Sequence, residues 1–469
     1  MSTAPSTTTD EAPQDDAATT EPASKKRGPW APLRPLALRL HFYAGILVAP
    51  FLLVSALTGL LYAASFQVEK MVYAHELTIP VGDTKLPISQ QVEAARKAHP
   101  EGTVSAVRPS PEDDATTRVM LTGVAGVAPT HTLAVFVDPY TAEVRGALEQ
   151  YGSTGALPVR TWIDEFHRDL RLGENGRLYS EFAASWLWVI SLAGVALWFS
   201  RRRALRKVRG TTGRRRTLGL HGTLGVWVAL GFVFLSATGL TWSKYAGESV
   251  TELRTSLGQT TPSVSSAASG GEHSGHGSAS AAGGTGEHGV GLDKVLAAAR
   301  AKNLGDPVEI VPPADAESAY VVRQVQRSWP EKQDAVAVDP ATGEVTDTVR
   351  FADYPVLAKL TRWGIDLHTG VLFGLVNQIA LMLLALALIV MIVWGYLMWW
   401  KRGRGSSFGR PIPRGAWAEV PPYVLVPAMA AVAALGYFVP LLGIPLAAFI
   451  AVDVVLGEIA HRRKKAAAV

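Results

Sequence analysis

The chain has 469 residues, of which 48% are hydrophobic, only 18% are charged and none is cysteine. A soluble protein of this length carries about a quarter charged residues, so the composition argues against a soluble globular protein. The lack of cysteine excludes disulfides, iron–sulfur clusters and every thiolate metal ligand. The net charge of +5 comes mostly from basic clusters beside apolar runs, and without a basic folded face we expect no nucleic-acid partner.

Long uncharged runs predict membrane spans. Residues 1 to 24 come first and lack both the basic start and the apolar stretch of a signal peptide, so we expect a disordered tail. Four runs then approach or exceed the ~20 residues that a bilayer core requires of a helix; they are His41 to Val68, Phe182 to Ser200, Leu218 to Ser243 and Leu367 to Trp400. A fifth run, Val420 to Val452, is divided by Pro440, which predicts a hairpin of two short spans.

Basic clusters next to the runs set the orientation, because Lys and Arg accumulate on the cytoplasmic side. The clusters lie within residues 25–39, 201–216, 401–404 and 462–465. All four fall on one side only if the chain crosses six times. We therefore predict a multi-pass protein of the cell (cytoplasmic, inner) membrane, embedded in the lipid bilayer, with both termini in the cytoplasm.

The two halves of the chain repeat one another. His41, Gly45 and Thr58-Gly59-Leu60 recur with identical spacing as His221, Gly225 and Thr238-Gly239-Leu240. Another set recurs exactly 201 positions on, so an internal duplication is the best explanation; its members are Trp162, His167, Gly173, Gly194 and Trp198, matched by Trp363, His368, Gly374, Gly395 and Trp399.

A polar segment lies between the two spans of each half. It starts with a predicted helix (Ser89 to Lys97, Leu292 to Ala301) and continues with strands, including Ala134 to Val137 and Ala335 to Val338, each ending at an Asp-Pro turn. The fold class is therefore an integral membrane α-helical bundle, a four-span duplicated core plus a C-terminal hairpin, with two small α+β extracytoplasmic domains. The predicted boundaries are a tail at 1–34, TM1 at 35–68, domain 1 at 69–160, an interfacial segment and TM2 at 161–200, a basic loop at 201–217, TM3 at 218–243, domain 2 at 244–361 with a His/Gly/Ser-rich loop at 260–291, TM4 at 362–400, a loop at 401–419, the TM5–TM6 hairpin at 420–457 and a basic tail at 458–469.

Four histidines occupy repeat-equivalent positions in this topology. His41 and His221 begin outward-running spans and share an inner depth, whereas His167 and His368 precede inward-running spans and share the outer side. Two facing imidazoles are the geometry of six-coordinate haem iron, so each pair is a candidate bis-histidine haem site. The simpler alternative is that these histidines are interfacial residues or helix caps that duplication has preserved without a shared use.

The neighbours of the histidines refine this hypothesis. Gly45 and Gly225 lie one turn beyond His41 and His221, where a missing side chain would let a flat porphyrin approach the backbone. His167 lies 34 residues before Arg201, about 50 Å if the segment were one helix. We therefore expect an interfacial helix and a turn after His167 that fold it back towards the membrane.

The His-x3-Gly and Thr-Gly-Leu spans, with Phe166-His167-Arg168, Leu367-His368-Thr369-Gly370 and the Asp-Pro turns, resemble the PepSY-associated transmembrane family over roughly residues 35 to 405. The resemblance implies PepSY-like extracytoplasmic domains. It also implies a similarity to di-haem ferric-siderophore reductases, with His41, His167, His221 and His368 as ligands of two b-type haems. A ferric siderophore would be the substrate, and a cytoplasmic reductase, reduced flavin or quinol the electron donor. Arg39 and Arg160 or Arg362 could pair with haem propionates, or they could simply reach the interface as long basic side chains.

Other functions stay open at this point. The family resemblance also allows a non-enzymatic PepSY membrane protein that regulates a peptidase or assists a metal or iron transporter. Secondary transport is disfavoured because the uncharged runs hold no acidic residue to couple ions. The loop at 260–291 offers His273, His276 and His288 as weak metal ligands, although a flexible insertion without ligands explains its composition better.

Overall fold

The computed structural model describes residues 30–206, 212–265, 289–315, 317–401 and 421–466. Most of the predicted N-terminal tail, the loop histidines His273, His276 and His288, and nearly all of the predicted loop at 401–419 lie outside the described residues.

The described part of the chain forms helices and one β-sheet. In chain order the helices are α1 (Trp30–Leu47), α2 (Ala49–Val72), α3 (Ala74–Leu77), α4 (Ile88–Ala98), α5 (Pro158–Asp169), α6 (Glu174–Arg206), α7 (Arg214–Leu240), α8 (Tyr245–Ser256), α9 (Leu292–Ala301), α10 (Val356–Thr369), α11 (Gly374–Trp400), α12 (Pro422–Phe438) and α13 (Pro440–Ala466). The strands are β1 (Thr103–Arg108), β2 (Thr117–Thr122), β3 (His131–Val137), β4 (Val144–Tyr151), β5 (Val308–Val311), β6 (Tyr320–Gln324), β7 (Ala335–Val338) and β8 (Val345–Val349).

Among the described residues, five helices are long and apolar enough to cross a bilayer, namely α2, α6, α7, α11 and α13. The protein is therefore a multi-pass membrane protein. Helix α12 is apolar but shorter, with 17 residues, so the sixth span and the sidedness of the termini stay predictions. Short helices α5 and α10 precede α6 and α11 in place of the continuous helix that the length after His167 would allow.

The first predicted span is two helices that meet at Val48. Helical hydrogen bonding continues across the junction, from Val48 to Ala44 (2.8 Å) and from Leu52 to Val48 (3.0 Å). Pro50 has no N–H to give to the carbonyl of Ile46, and the hydroxyl of Tyr396 on α11 donates to that carbonyl instead, at 2.9 Å. The break in the first span is thereby fixed to α11.

The polar segments of the two halves form one eight-stranded antiparallel sheet with the order β4-β3-β2-β1-β5-β6-β7-β8. Each half contributes a four-stranded meander, and β1 pairs with β5 at Val107 opposite Ile310. Helices α4 and α9 pack against the sheet in a shared apolar core that includes Val92 and Val295. The sequence predicted two separate small domains, and the structure joins them because the edge strands β1 and β5 pair across the duplication.

Polar contacts strengthen the seam between the two meanders. Glu309 on β5 is almost fully buried and accepts hydrogen bonds from Arg108 on β1 at 2.7 Å and from Arg323 on β6 at 2.8 Å. Asp293 at the start of α9 accepts hydrogen bonds from the backbone of Ile88 (2.7 Å) and Ser89 (3.3 Å), which caps the first turn of α4. Each half therefore satisfies polar groups of the other.

The C-terminal hairpin of α12 and α13 is part of the bundle core. Leu442 is fully buried, and the indole of Trp186 on α6 donates to the carbonyl of Leu441 at 3.3 Å. Asp453 on α13 pairs with Arg39 on α1 at 2.6 Å, with both side chains buried. Anchoring to α1 and α6 thus supplements the apolar contacts of the hairpin.

Acidic residues do occur within the spans, contrary to the expectation from the uncharged runs. Asp453 lies in the span of α13, and Glu181 lies in the span of α6. Both are engaged: Glu181 accepts hydrogen bonds from the backbone of Tyr245 (2.9 Å) and Ala246 (3.0 Å) at the start of α8. The runs were counted between charges, so Glu181, which directly precedes one run, and Asp453, which directly follows another, were left out.

Candidate functional site

The histidine pair on α1 and α7, which we term the far-side pair, is distant from the sheet. The ring centroids of His41 and His221 lie 6.3 Å apart, and the ring planes are inclined at 75°. Nδ1 of His41 hydrogen-bonds to the carbonyl of Ile190 on α6 at 2.9 Å. A carbonyl only accepts, so Nδ1 carries the proton and Nε2 keeps its lone pair.

The second pair, the sheet-side pair, lines one cavity between the bundle and the sheet. His167 comes from α5 and His368 from α10, and the cavity has a volume of about 450 Å³. Burial lowers the pKa of His167 to about 4 and, together with the nearby His167, lowers the pKa of His368 to about 3. Both imidazoles are therefore neutral at physiological pH, the state in which histidine binds a metal.

A threonine of the same half holds each sheet-side histidine. Oγ1 of Thr58 lies 2.9 Å from Nδ1 of His167, and Oγ1 of Thr238 lies 2.6 Å from Nδ1 of His368. The two contacts are equivalent under the repeat. The Thr-Gly-Leu motif of each half thus reaches the histidine that follows it by more than a hundred residues.

The residues after each threonine complete a histidine cradle, defined here as Thr58, Gly59 and Tyr62 in the first half and their equivalents Thr238, Gly239 and Trp242 in the second. A methyl group built on Gly59 would lie 3.1 Å from Cε1 of His167, and one on Gly239 would lie 3.7 Å from Cε1 of His368. The ring of Tyr62 is stacked on His167 with centroids 6.2 Å apart, and Trp242 meets His368 edge-on at 5.5 Å. The same set of three positions, repeated in the second half, therefore positions one imidazole in each half.

The two pairs lie at different levels of the same bundle. His221 and Thr238, which contacts the sheet-side His368, are 17 positions apart on α7. At 1.5 Å per residue this is about 25 Å along the helix axis. The bundle thus presents one histidine pair near each end of its apolar length.

The cavity around the sheet-side pair is apolar on one side, and its charged lining contains four arginines and the two carboxylates of Asp164 and Glu181. Its deep wall is built by apolar residues of four spans, among them Leu52, Leu187, Phe232, Leu235 and Leu384. Four guanidinium groups lie in the lining towards the sheet, from Arg168, Arg177, Arg327 and Arg362. Such a site suits a ligand with a large apolar body and anionic groups at one edge.

Residues 38–402 match a family model described as the PepSY-associated TM region. The chain belongs to this family. The matched range contains both histidine pairs and both cradles of this PepSY-associated protein, whereas α12 and α13 follow it. A comparison with curated proteins finds no match.

The three arginines considered as propionate partners occupy different surroundings. Arg362 lines the cavity and also pairs with Glu331 at 2.8 Å. Arg160 is buried outside the cavity lining and pairs with Glu69 at 3.0 Å. Arg39 lies near the far-side pair and pairs with Asp453. Of the three, only Arg362 is brought into the sheet-side cavity.

Glycines near the far-side pair differ from the sequence expectation. A methyl group on Gly45 would meet nothing within 4 Å, but one on Gly225 would lie 3.0 Å from Cε of Met391, which takes up that space. The close glycine contact comes instead from Gly194 on α6, where an added methyl would lie 3.0 Å from Cε1 of His41. Gly194 belongs to the repeated set, so its recurrence was visible in the sequence but its partner was not.

The candidate ligand histidines of the described residues come together in twos. Within the described ranges, no three histidine, aspartate or glutamate side chains gather into a set that could hold an ion. The sequence identified both pairs and missed the cradle. Thr58 and Thr238 were read as markers of the duplication, and their identical spacing from His41 and His221 was the one signal of a shared role.

Proposed function

We propose that this protein is a membrane di-haem electron-transfer protein that reduces extracytoplasmic ferric chelates, a ferric-siderophore reductase of iron uptake. The observation that carries the proposal is the occurrence of two imidazole pairs at two levels of one bundle. Each pair has partners from both halves of the duplication, as expected if the two halves grip a shared group between them.

The far-side pair has a spacing that suits axial ligation. A metal held about 2 Å from each ring nitrogen leaves the two ring centres roughly 6 Å apart, since each centre lies just over 1 Å behind its nitrogen. The observed 6.3 Å agrees with this value. The inclination of 75° between the two rings would still allow both to bind one metal. Met391 beside Gly225 would have to move aside for a porphyrin.

The sheet-side pair suits haem through its surroundings. The cavity volume of about 450 Å³ lies in the range of about 300–1,000 Å³ that small-molecule sites occupy. Its apolar wall suits the macrocycle, and Arg327 and Arg362 in its lining could pair with propionates. When bound, haem supplies one-electron chemistry that needs no catalytic side chain.

The side chains of this protein would bind each haem, fix its orientation and keep water away from it. His41 and His221 would hold one b-type haem and His167 and His368 the other. His41, His167 and His368 would each bind through the ring nitrogen opposite the hydrogen-bonded one. The wall of leucine and phenylalanine side chains would keep water from the sheet-side site. In this proposal the sheet is extracytoplasmic, and a cytoplasmic reductase, reduced flavin or quinol supplies electrons at the far side.

The chemistry of iron explains why a ferric siderophore is the proposed substrate. Siderophores hold iron(III) through hard oxygen ligands, and iron(II) is held far less firmly, so one added electron releases the metal. The loop Tyr151 to Thr154 borders the cavity on the sheet side and offers a surface on which a chelate could approach.

The decisive experiment measures haem in protein purified from cells supplied with haem. We expect two haems per chain and the reduced spectrum of a bis-histidine cytochrome b, reoxidised by a ferric siderophore. His41→Ala and His221→Ala should each remove the same haem, and His167→Ala and His368→Ala the other. A colourless protein would refute the proposal and favour the regulatory or transport-accessory alternative; loss of neither haem in the variants would refute the pairing.

A further inference from the structure

Resting on the proposed function, we propose that Thr58 and Thr238 are positioning residues that fix the tautomer of the sheet-side histidines and thereby set the redox potential of the group they hold. Neither threonine would touch the metal. Each acts through the imidazole that it contacts.

A count of protons assigns the direction of the hydrogen bonds. A hydroxyl has one hydrogen to donate, and the hydroxyl of Thr58 donates to the carbonyl of Val54 at 2.9 Å. The hydroxyl of Thr238 donates in the same way to the carbonyl of Phe234 at 2.8 Å. Each hydroxyl oxygen is therefore left to accept, and Nδ1–H of the histidine is the donor at 2.9 Å and 2.6 Å.

The assignment determines which nitrogen can bind a metal. With the proton on Nδ1, each neutral imidazole has its lone pair on Nε2, at the far side of the ring from the threonine. The other tautomer would set a bare Nδ1 against a hydroxyl whose hydrogen is already used. The histidine cradle thus selects one tautomer in both halves.

The nature of the acceptor also tunes the ligand. A hydrogen bond from Nδ1–H raises the basicity of the imidazole, and a more basic ligand favours the oxidised metal. His167 and His368 donate to hydroxyl oxygens, so each threonine raises the basicity of the imidazole that it contacts. Removal of a hydroxyl is therefore expected to raise the potential of the group held at the sheet side.

The test replaces the hydroxyls while preserving side-chain shape. Thr58→Val and Thr238→Val remove the acceptor, and Thr58→Ser and Thr238→Ser restore it. Thr223→Val is the matched control, because Thr223 lies on α7 with its side chain exposed. Spectroelectrochemical titration gives the potentials of the two haems, and haem retention during dilution gives their affinities.

We expect both valine variants to raise the potential of the sheet-side haem, leave that of the far-side haem unchanged and weaken sheet-side retention about 10- to 100-fold. The serine variants should return both quantities to their original values, and Thr223→Val should change neither. Two haems in the parent protein with unchanged sheet-side potential and retention in both valine variants would overturn this inference alone. A parent protein without haem would overturn the proposed function together with it. Should one valine variant not fold, its repeat equivalent and the serine variants carry the same comparison.

Discussion

Asp453 on α13 accepts a hydrogen bond from Arg39 on α1 at 2.6 Å, two residues before His41. Both side chains are buried, so removing one charge takes a close counterion away from the other in an apolar setting. We expect Asp453→Asn to lower the free energy of unfolding by about 3–5 kcal/mol, measured by denaturation in detergent micelles. The paired replacement of Arg39 by Met and Asp453 by Leu should recover most of this loss. Equal losses in the single and paired variants would contradict the role of the ion pair.

The unequal clearance at the two cradle glycines gives a comparison within one protein. Gly59→Ala would bring a methyl group to 3.1 Å from His167, which is tighter than most real contacts, whereas Gly239→Ala would meet His368 at an ordinary 3.7 Å. We expect Gly59→Ala to displace His167 and reduce sheet-side haem, and Gly239→Ala to be tolerated. Haem per chain and the reduced spectrum measure both outcomes. An equal effect of the two substitutions would show that clearance is not what these glycines provide.

A buried carboxylate links the sheet region to the helix that carries His368. Asp366 is fully buried and accepts a hydrogen bond from Arg327 at 2.6 Å. Asp366→Asn should cost about 3–5 kcal/mol, because it leaves the buried guanidinium unpaired. Glu174→Gln breaks the exposed pair with Lys244 and should cost about 1 kcal/mol or less. Thermal unfolding of the two variants side by side tests the contrast, and similar melting temperatures would refute it.

The hydroxyl of Tyr396 replaces the hydrogen bond that Pro50 cannot make. Tyr396→Phe should cost about 1 kcal/mol, since the carbonyl of Ile46 then has no donor. Pro50→Ala supplies a backbone N–H, so the same Tyr396→Phe change should cost less in that background. A double-mutant cycle on the free energy of unfolding measures this coupling. Additive effects would indicate that the two residues act independently.

How much of the architecture was predictable depended on repetition. Both histidine pairs could be inferred because His41, His167, His221 and His368 recur at fixed spacing. The helix Leu292–Ala301 and the strand Ala335–Val338 also match their predicted bounds, since periodicity and an Asp-Pro turn define them locally. The histidine positions are repeated in the two halves, and the helix and strand are each defined by residues within a few positions of their ends.

Features that depend on one residue meeting another far away were not predictable. Arg39 gave no sign of pairing with Asp453, and nothing near Pro50 pointed to Tyr396. The joining of the two meanders through Val107 and Ile310 was missed for the same reason, because strand patterns specify faces and not neighbours. The cradle threonines lay between these cases: their spacing was visible, but their contact with histidines needed the folded chain.

The pairing of β1 with β5 constrains how this protein can be divided. If the chain were cut between α7 and α9 and one half were produced alone, the edge of β1 or of β5 would be exposed. Arg108 or Glu309 on that edge would lose the other as its partner. Unpaired edges of this kind recruit other strands and aggregate. We therefore expect either half, produced alone, to aggregate or to associate with a second copy through the exposed strand, instead of remaining a monomer.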